Sequence, residues 1–226
     1  MRSLLAKLLL ASVGEKRFTY LRYLKHRTFG TLGYDTEYYR AISDANKTCY
    51  PIFARAIVAE FSPKSLVDVG CGSGEIALAF VAEGCTSIFP FDYSSDAVAL
   101  AKTNGLNQAL EIDLTRASRI PAVADLCLCL EVAEHIPAAN VANLCKLLSE
   151  PAPVLIFTAA PPGQGGHFHL NEQPRQYWIE NLRVAGMHYD EQAVVRVRER
   201  FAGRMIPDYD NNLMIFRRDA IFSRAV

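Results

Sequence analysis

The chain has 226 residues, half of them hydrophobic and 21% charged, a composition that makes a folded domain and excludes a largely disordered chain. Lysine plus arginine balances aspartate plus glutamate, 24 against 24, so no overall field steers the protein to nucleic acid and none is expected as a partner. At this length one domain, or one domain with a small appendage, is expected.

The first stretch, MRSLLAKLLLASVG, sets Leu4, Leu5, Leu8 and Leu9 at helical spacing behind a basic start. Lys7 interrupts the apolar run, which is far shorter than the roughly 20 residues a bilayer requires. A basic amphipathic helix is therefore expected, packed on the domain or pairing two copies as a homodimer. Contact with an anionic membrane surface is the lesser alternative. Beyond a tyrosine-rich segment (Tyr34, Tyr38, Tyr39, Tyr50), IFARAIVAEF predicts a helix that stops at Ser62 and Pro63.

SLVDVG then predicts a short apolar strand, GEIALAFVAEG a helix ending at Gly84, SIFPFD a second strand and SSDAVALAKTNG a second crossover helix. ALEIDL predicts a third strand and ADLCLCLE a buried fourth; a helix near residues 138–148 and the strand PVLIFTAA follow. PRQYWIENLRVAG predicts a later helix and NNLMIFRR a late strand. Five strands alternating with helices predict an α/β fold with a doubly wound, mostly parallel sheet and helices on both faces. The six cysteines, at 49, 71, 85, 127, 129 and 145, form no CxxC pair and lie mostly in apolar runs. They read as buried free thiols in a reducing compartment, and the cytoplasm is the expected location.

In open sheets of this kind ligands bind beyond the carboxyl ends of the strands. That rule gathers Gly70 to Gly74, Asp92, Asp113, residues 131–135 and the loop 161–173 around one crevice. The turn VDVGCGSGEIA has Glu75 where a dinucleotide fingerprint needs a third glycine, and no GK[ST] follows it. A carboxylate there repels pyrophosphate and tolerates a cationic ligand. Asp92, about 20 residues after the turn, is placed to accept hydrogen bonds from both ribose hydroxyls, and Asp113 to meet an adenine amino group. Taken singly, each acid has an ordinary alternative as a helix cap or a solvated strand end. In order and at successive strand ends, they indicate a nucleoside without phosphate.

VDVGCGSG, FDYS, EIDL and ADLCLCLEVAEHIP together resemble the successive motifs of the class I S-adenosylmethionine-dependent methyltransferases, over roughly residues 50–160. The resemblance implies a Rossmann-like methyltransferase fold over residues 49–226, behind a helical or lid segment at 1–48, with S-adenosylmethionine as cofactor. It implies that Asp68, Gly70, Cys71, Gly72 and Gly74 line the methionine and ribose side of that cofactor. Asp92 and Tyr93 would hold the ribose, Asp113 and Leu114 border the adenine, and Glu131 lie near the methionine portion. GQGGHFHLNEQ with the following YW, and NNLMIF, resemble a subgroup of small bacterial methyltransferases linked to sugars or secondary metabolites.

A hydroxyl acceptor has to lose a proton, and a histidine, with a free pKa of about 6.5, suits that task at neutral pH. The subgroup resemblance implies that the recurring histidine is His169, the expected base, with Glu172 orienting it or binding the acceptor; His135 and His167 are the other candidates. The bland alternative is that His169 and Asn171 only hold the glycine-rich loop in shape. No metal is assigned, but the HxH pattern leaves one metal reading. Residues two apart in an extended loop point the same way, so His167 and His169 would share a cation with Glu172. Tyr34, Tyr38, Asn171, Trp178 and Asn212 are the expected acceptor-side residues, the aromatics forming a lid and wall around a ring-bearing, moderately polar molecule. O-methylation of a small molecule is the leading expectation; N-methylation and a non-catalytic cofactor-binding partner subunit are the alternatives.

Overall fold

The computed structural model describes residues 34–218. The expected N-terminal helix, and with it the homodimer and membrane-surface readings, lies outside the described residues. Seven strands form one sheet in the order β3-β2-β1-β4-β5-β7-β6. They are β1 (Ser65–Val69), β2 (Ser87–Asp92), β3 (Leu110–Glu111), β4 (Leu126–Leu130), β5 (Val154–Thr158), β6 (Met187–Tyr189) and β7 (Met214–Arg218). The first five are parallel, while β7 runs antiparallel between β5 and β6.

Strand alternation explains the two-layered core. Leu66, Leu126, Leu128, Val154, Ile156 and Ile215 face one way, onto α2 (Tyr50–Phe61), α3 (Glu75–Ala82) and α7 (Glu191–Phe201) through Phe53, Ile57, Phe80, Val197 and Phe201. Val67, Val69, Cys127, Cys129, Leu155, Phe157 and Phe216 face the other way, onto α5 (Val141–Ser149) and α6 (Arg175–Val184) through Leu144, Leu147, Leu148 and Leu182. Because both faces are covered, the central strands read as unbroken apolar runs. The cysteines of β4 serve as small apolar residues in one of those layers, and all six are free and buried. No helix among the described residues is long and apolar enough to cross a membrane.

Three local features refine the sequence reading. The tyrosine-rich segment is a helix, α1 (Thr36–Asn46), started by Asp35, whose Oδ1 accepts the Tyr38 amide at 2.9 Å. The third strand is shorter than ALEIDL, because Asp113 turns the chain: its Oδ1 accepts both the amide and the hydroxyl of Thr115, at 2.9 and 2.6 Å. Finally β6, α7 and the short α8 (Pro207–Asn211) follow α6, in a stretch where the sequence reading placed only the late strand.

Candidate active site

The carboxyl ends of β1, β2, β4 and β5, roofed by α1, enclose a cavity of about 670 Å³. Its first wall is the turn after β1, where the amides of Gly70 and Cys71 both donate to the Phe91 carbonyl, at 2.7 and 2.9 Å. Gly70 has φ +83°, and a Cβ there would stand 2.2 Å from Val132 Cγ2, so only glycine lets this turn lie against the loop after β4. Asp92 pins the turn: Oδ2 accepts the Gly72 amide and Oδ1 the Ser94 amide, both at 2.9 Å. Burial raises its pKa, opposed by those same amides. Gly74 is the residue before α3 and packs beneath Leu106 instead of lining the cavity. α4 (Ser95–Thr103) begins on the Ser94 hydroxyl, which accepts the Ala97 amide, directly after Tyr93 at the rim.

Asp68, 2% exposed, faces the cavity with Oδ2 lacking any hydrogen-bond partner. Burial, then the charge of Asp92, pushes its pKa up to about 7, against about 3.9 in an unfolded chain. Over the interval between those values the folded protein holds a proton that the unfolded chain has released. The contribution is therefore fully present below about pH 4 and lost as pH rises through about 7. We expect the melting temperature of the ligand-free protein to drop by several degrees from about pH 5 to about pH 8, and Asp68→Asn to flatten that slope. A slope that Asp68→Asn leaves unchanged would place the titration elsewhere.

The second wall follows β4. Glu131 adopts φ +54°, rare for a residue with a side chain, and its amide donates to Thr158 Oγ1 at 2.9 Å. Its carboxylate accepts Asn212 Nδ2 at 3.2 Å and Gln164 Nε2 at 3.1 Å, tying together the loops after β4, after β5 and before β7. Glu134, 0% exposed, follows in a short 3₁₀ turn (Ala133–His135). Its backbone carbonyl accepts the amides of Leu170 and Asn171, at 2.8 and 2.9 Å, while neither carboxyl oxygen has a hydrogen-bond partner. Burial first, then Glu131, holds the Glu134 carboxyl well above the ordinary range.

The third wall is GQGGHFHLNE. Phe168 sits at φ +58° and is buried, so the loop is not extended there and His167 and His169 diverge. The His167 ring packs on Tyr34 and Tyr38, each with centroids 5.4 Å away. The His169 ring meets the His135 ring edge-on at 4.9 Å. Glu172 Oε1 binds His169 Nδ1 at 2.9 Å, and the same carboxylate accepts the amides of Gly163 and Gly165, at 2.9 and 2.8 Å. Burial raises the Glu172 pKa, but the Gly163 amide, His169 and the Gly165 amide outweigh it and leave the carboxyl below its usual value. The cation reading of His167, His169 and Glu172 is therefore corrected. Glu172 is spent on its own loop, and the group that joins His169 is Glu134 with His135. His135 Nδ1 stands 3.0 Å from the Tyr34 hydroxyl, and burial, then His169, lowers its pKa to about 4.

Gly166 makes room for this arrangement. A Cβ there would lie 2.2 Å from His169 Nε2, so Gly166→Ala must push the ring aside. Because a misplacement of about an ångström costs on the order of a hundred-fold in rate, we expect Gly166→Ala to lower kcat by about that factor with cofactor affinity kept. Steady-state kinetics beside calorimetry would show it; an unaltered kcat would detach His169 from the chemistry.

Among the expected acceptor-side residues, Tyr34 and Tyr38 line the cavity, and Asp113, Leu114, Tyr93 and all three loop histidines line it too. Trp178 does not: it is fully buried against Phe157, because the apolar face of α6 turns into the core. Asn171 is buried under the loop, its Oδ1 accepting from Gln173, and Asn212 is spent on Glu131 and Gln164. Glu172 orients His169 from behind the wall. Tyr39, part of the tyrosine-rich segment expected as lid and wall, lines the cavity too, its ring covering Gly72, 3.5 Å from where a Cβ would be; sequence reasoning singled out neither Glu134 nor Gln164. Glu134 had the clearer signal, a second acid in EVAEHIP just after the fourth strand.

The cavity fits a cationic nucleoside. The glycine turn presents backbone at close range, Asp92 is a buried carboxylate beside it, and the unpartnered oxygen of Asp68 faces the same space. A methyltransferase-domain family model matches residues 40–194. The ubiquinone biosynthesis O-methyltransferase of Azotobacter vinelandii is 27% identical over 133 residues, covering 56% of this chain and 51% of that protein. The chain thus spans about half the length of the curated relatives it matches. In fold it is similar to a TehB-like methyltransferase from Corynebacterium glutamicum (TM-score 0.57, 16% identity, 81% of this chain and 98% of that one). It is also similar to magnesium protoporphyrin IX methyltransferase from Synechocystis with bound S-adenosylhomocysteine (TM-score 0.52, 16% identity, 68% and 74%). With its strand order, its glycine turn and the family match over most of the described residues, the chain belongs to the methyltransferase-domain family, the class I S-adenosylmethionine-dependent enzymes.

Proposed function

We propose that the protein transfers a methyl group to a hydroxyl oxygen of a ring-bearing small molecule, with His169 taking the hydroxyl proton. The observation that carries this reading is the 2.9 Å contact between His169 Nδ1 and the Glu172 carboxylate, in a residue whose ring lines the cavity. A carboxylate on one ring nitrogen fixes the tautomer and leaves the other, Nε2, to accept a proton. When bound, the cofactor supplies an electrophilic methyl on a sulfonium; Asp68, the turn at Gly70 to Gly72 and Asp92 would hold it. The chain's remaining work is alignment and exclusion of water. Tyr34, Tyr38, Phe168 and Ile206 supply apolar faces beside polar tips for a sugar or a phenolic metabolite. The O-methyltransferase name of the curated relatives supports oxygen as the acceptor atom, and the free, buried thiols support a cytoplasmic setting.

The test is incubation with S-adenosylmethionine and matched panels of phenols, sugars and amines, with mass spectrometry of the products. We expect one added methyl on a hydroxyl compound. Methylation confined to amines would overturn the oxygen assignment.

A further inference from the structure

One carboxyl oxygen of Glu134, one ring nitrogen of His135 and one of His169 all lie within 4.8 Å of one another. Glu134 is wholly buried, and neither of its carboxyl oxygens has a hydrogen-bond partner. An acid buried in that condition, with the Glu131 carboxyl close by, is costly, and a cation would offset that cost.

The surroundings of the two rings resemble those of metal ligands. His169 Nδ1 is engaged by the Glu172 carboxylate at 2.9 Å. His135 Nδ1 lies 3.0 Å from the Tyr34 hydroxyl and 3.3 Å from the Phe168 carbonyl. The Tyr34 hydroxyl itself donates to the His167 carbonyl, so its oxygen is left to accept from the His135 ring. A carboxylate behind one imidazole and a carbonyl behind the other are the outer contacts that orient histidines toward a metal through their second nitrogen.

We propose that Glu134, His135 and His169 form a site for a borderline divalent cation of the zinc and cobalt class, and that a cation there silences the base. Two imidazoles and one carboxylate favour that class over magnesium or calcium, which take oxygen donors. Tetrahedral donors about 2.1 Å from such an ion stand about 3.4 Å apart, so the three side chains close in by about an ångström on loading. All three residues line the cavity, which would supply a fourth ligand. The silencing half rests on the reading of His169 as base, because one nitrogen lone pair does not hold a proton and a cation at once.

The experiment uses the full chain, stripped with a chelator and titrated with Co²⁺ followed by its visible absorption, and with Zn²⁺ by calorimetry. We expect one equivalent to bind in the wild type and in His188→Ala, whose exposed histidine lies away from the site. Affinity should drop at least about ten-fold in His169→Ala and in Glu134→Gln. Circular dichroism and S-adenosylhomocysteine binding show whether each variant is folded; His169→Ala alone decides the matter if Glu134→Gln is not. Absence of binding, or binding that His169→Ala leaves unchanged, overturns the site without touching the base reading. With the cation bound, methyl transfer should stop and return on chelation. Binding that accelerates turnover keeps the site and overturns the base.

Discussion

Asp92→Ala is expected to bind S-adenosylhomocysteine at least about a hundred-fold more weakly than the wild-type protein, the largest loss of cofactor affinity available from one side chain. Its carboxylate stands beside the glycine turn and holds the Gly72 and Ser94 amides at 2.9 Å. Replacement by alanine removes the charged group expected to accept from the ribose hydroxyls and releases the turn at the same time. Hydrogen bonds to a charged group are worth about 1.5–3 kcal/mol each, so losing two weakens binding by roughly 3–6 kcal/mol, or about two to four decades. Asp92→Asn keeps the shape and one acceptor, and should fall between the two. Calorimetry with S-adenosylhomocysteine decides the point. If Asp92→Ala binds as the wild type does, the ribose lies elsewhere and the nucleoside reading of this strand end is wrong.

The half of the molecule that carries Asp92 was legible because its rules are local. An apolar strand, a glycine turn and a helix repeat along the chain, and the strand-end rule then places each acid without knowledge of distant contacts. The acceptor side was less legible, since its geometry depends on tertiary packing. Phe168 takes a left-handed backbone conformation that no sequence pattern announces, and this one torsion parts His167 from His169. Trp178 looks like an acceptor wall in sequence, yet the face of α6 that carries it is the face the sheet covers. Asn212 and Gln164 meet Glu131 from 81 and 33 residues away, contacts that only the folded sheet creates. Fold alone does not supply the chemistry: a [4+2]-cyclase shares this architecture at TM-score 0.52.

His169→Ala should leave S-adenosylhomocysteine affinity as it is and lower kcat by about a hundred- to ten-thousand-fold, the usual range for a lost general base. The two halves of that expectation come from separate parts of the structure. Asp68, Gly70, Gly72 and Asp92 line one wall of the cavity, whereas His169 enters from the loop after β5 and meets Glu172 and His135. A loop that merely lost its shape would behave differently, because Glu172 also holds the Gly163 and Gly165 amides independently of the histidine. Added imidazole should restore part of the activity of His169→Ala, since the side chain removed leaves a space of that size. Glu172→Gln should fall between wild type and His169→Ala, as it loosens the ring without removing it. Gly166→Ala combined with His169→Ala should cost no more than His169→Ala alone, because both act on one imidazole. If cofactor affinity falls together with kcat, or if the double variant shows additive losses, His169 shapes the loop and the proton leaves by another route.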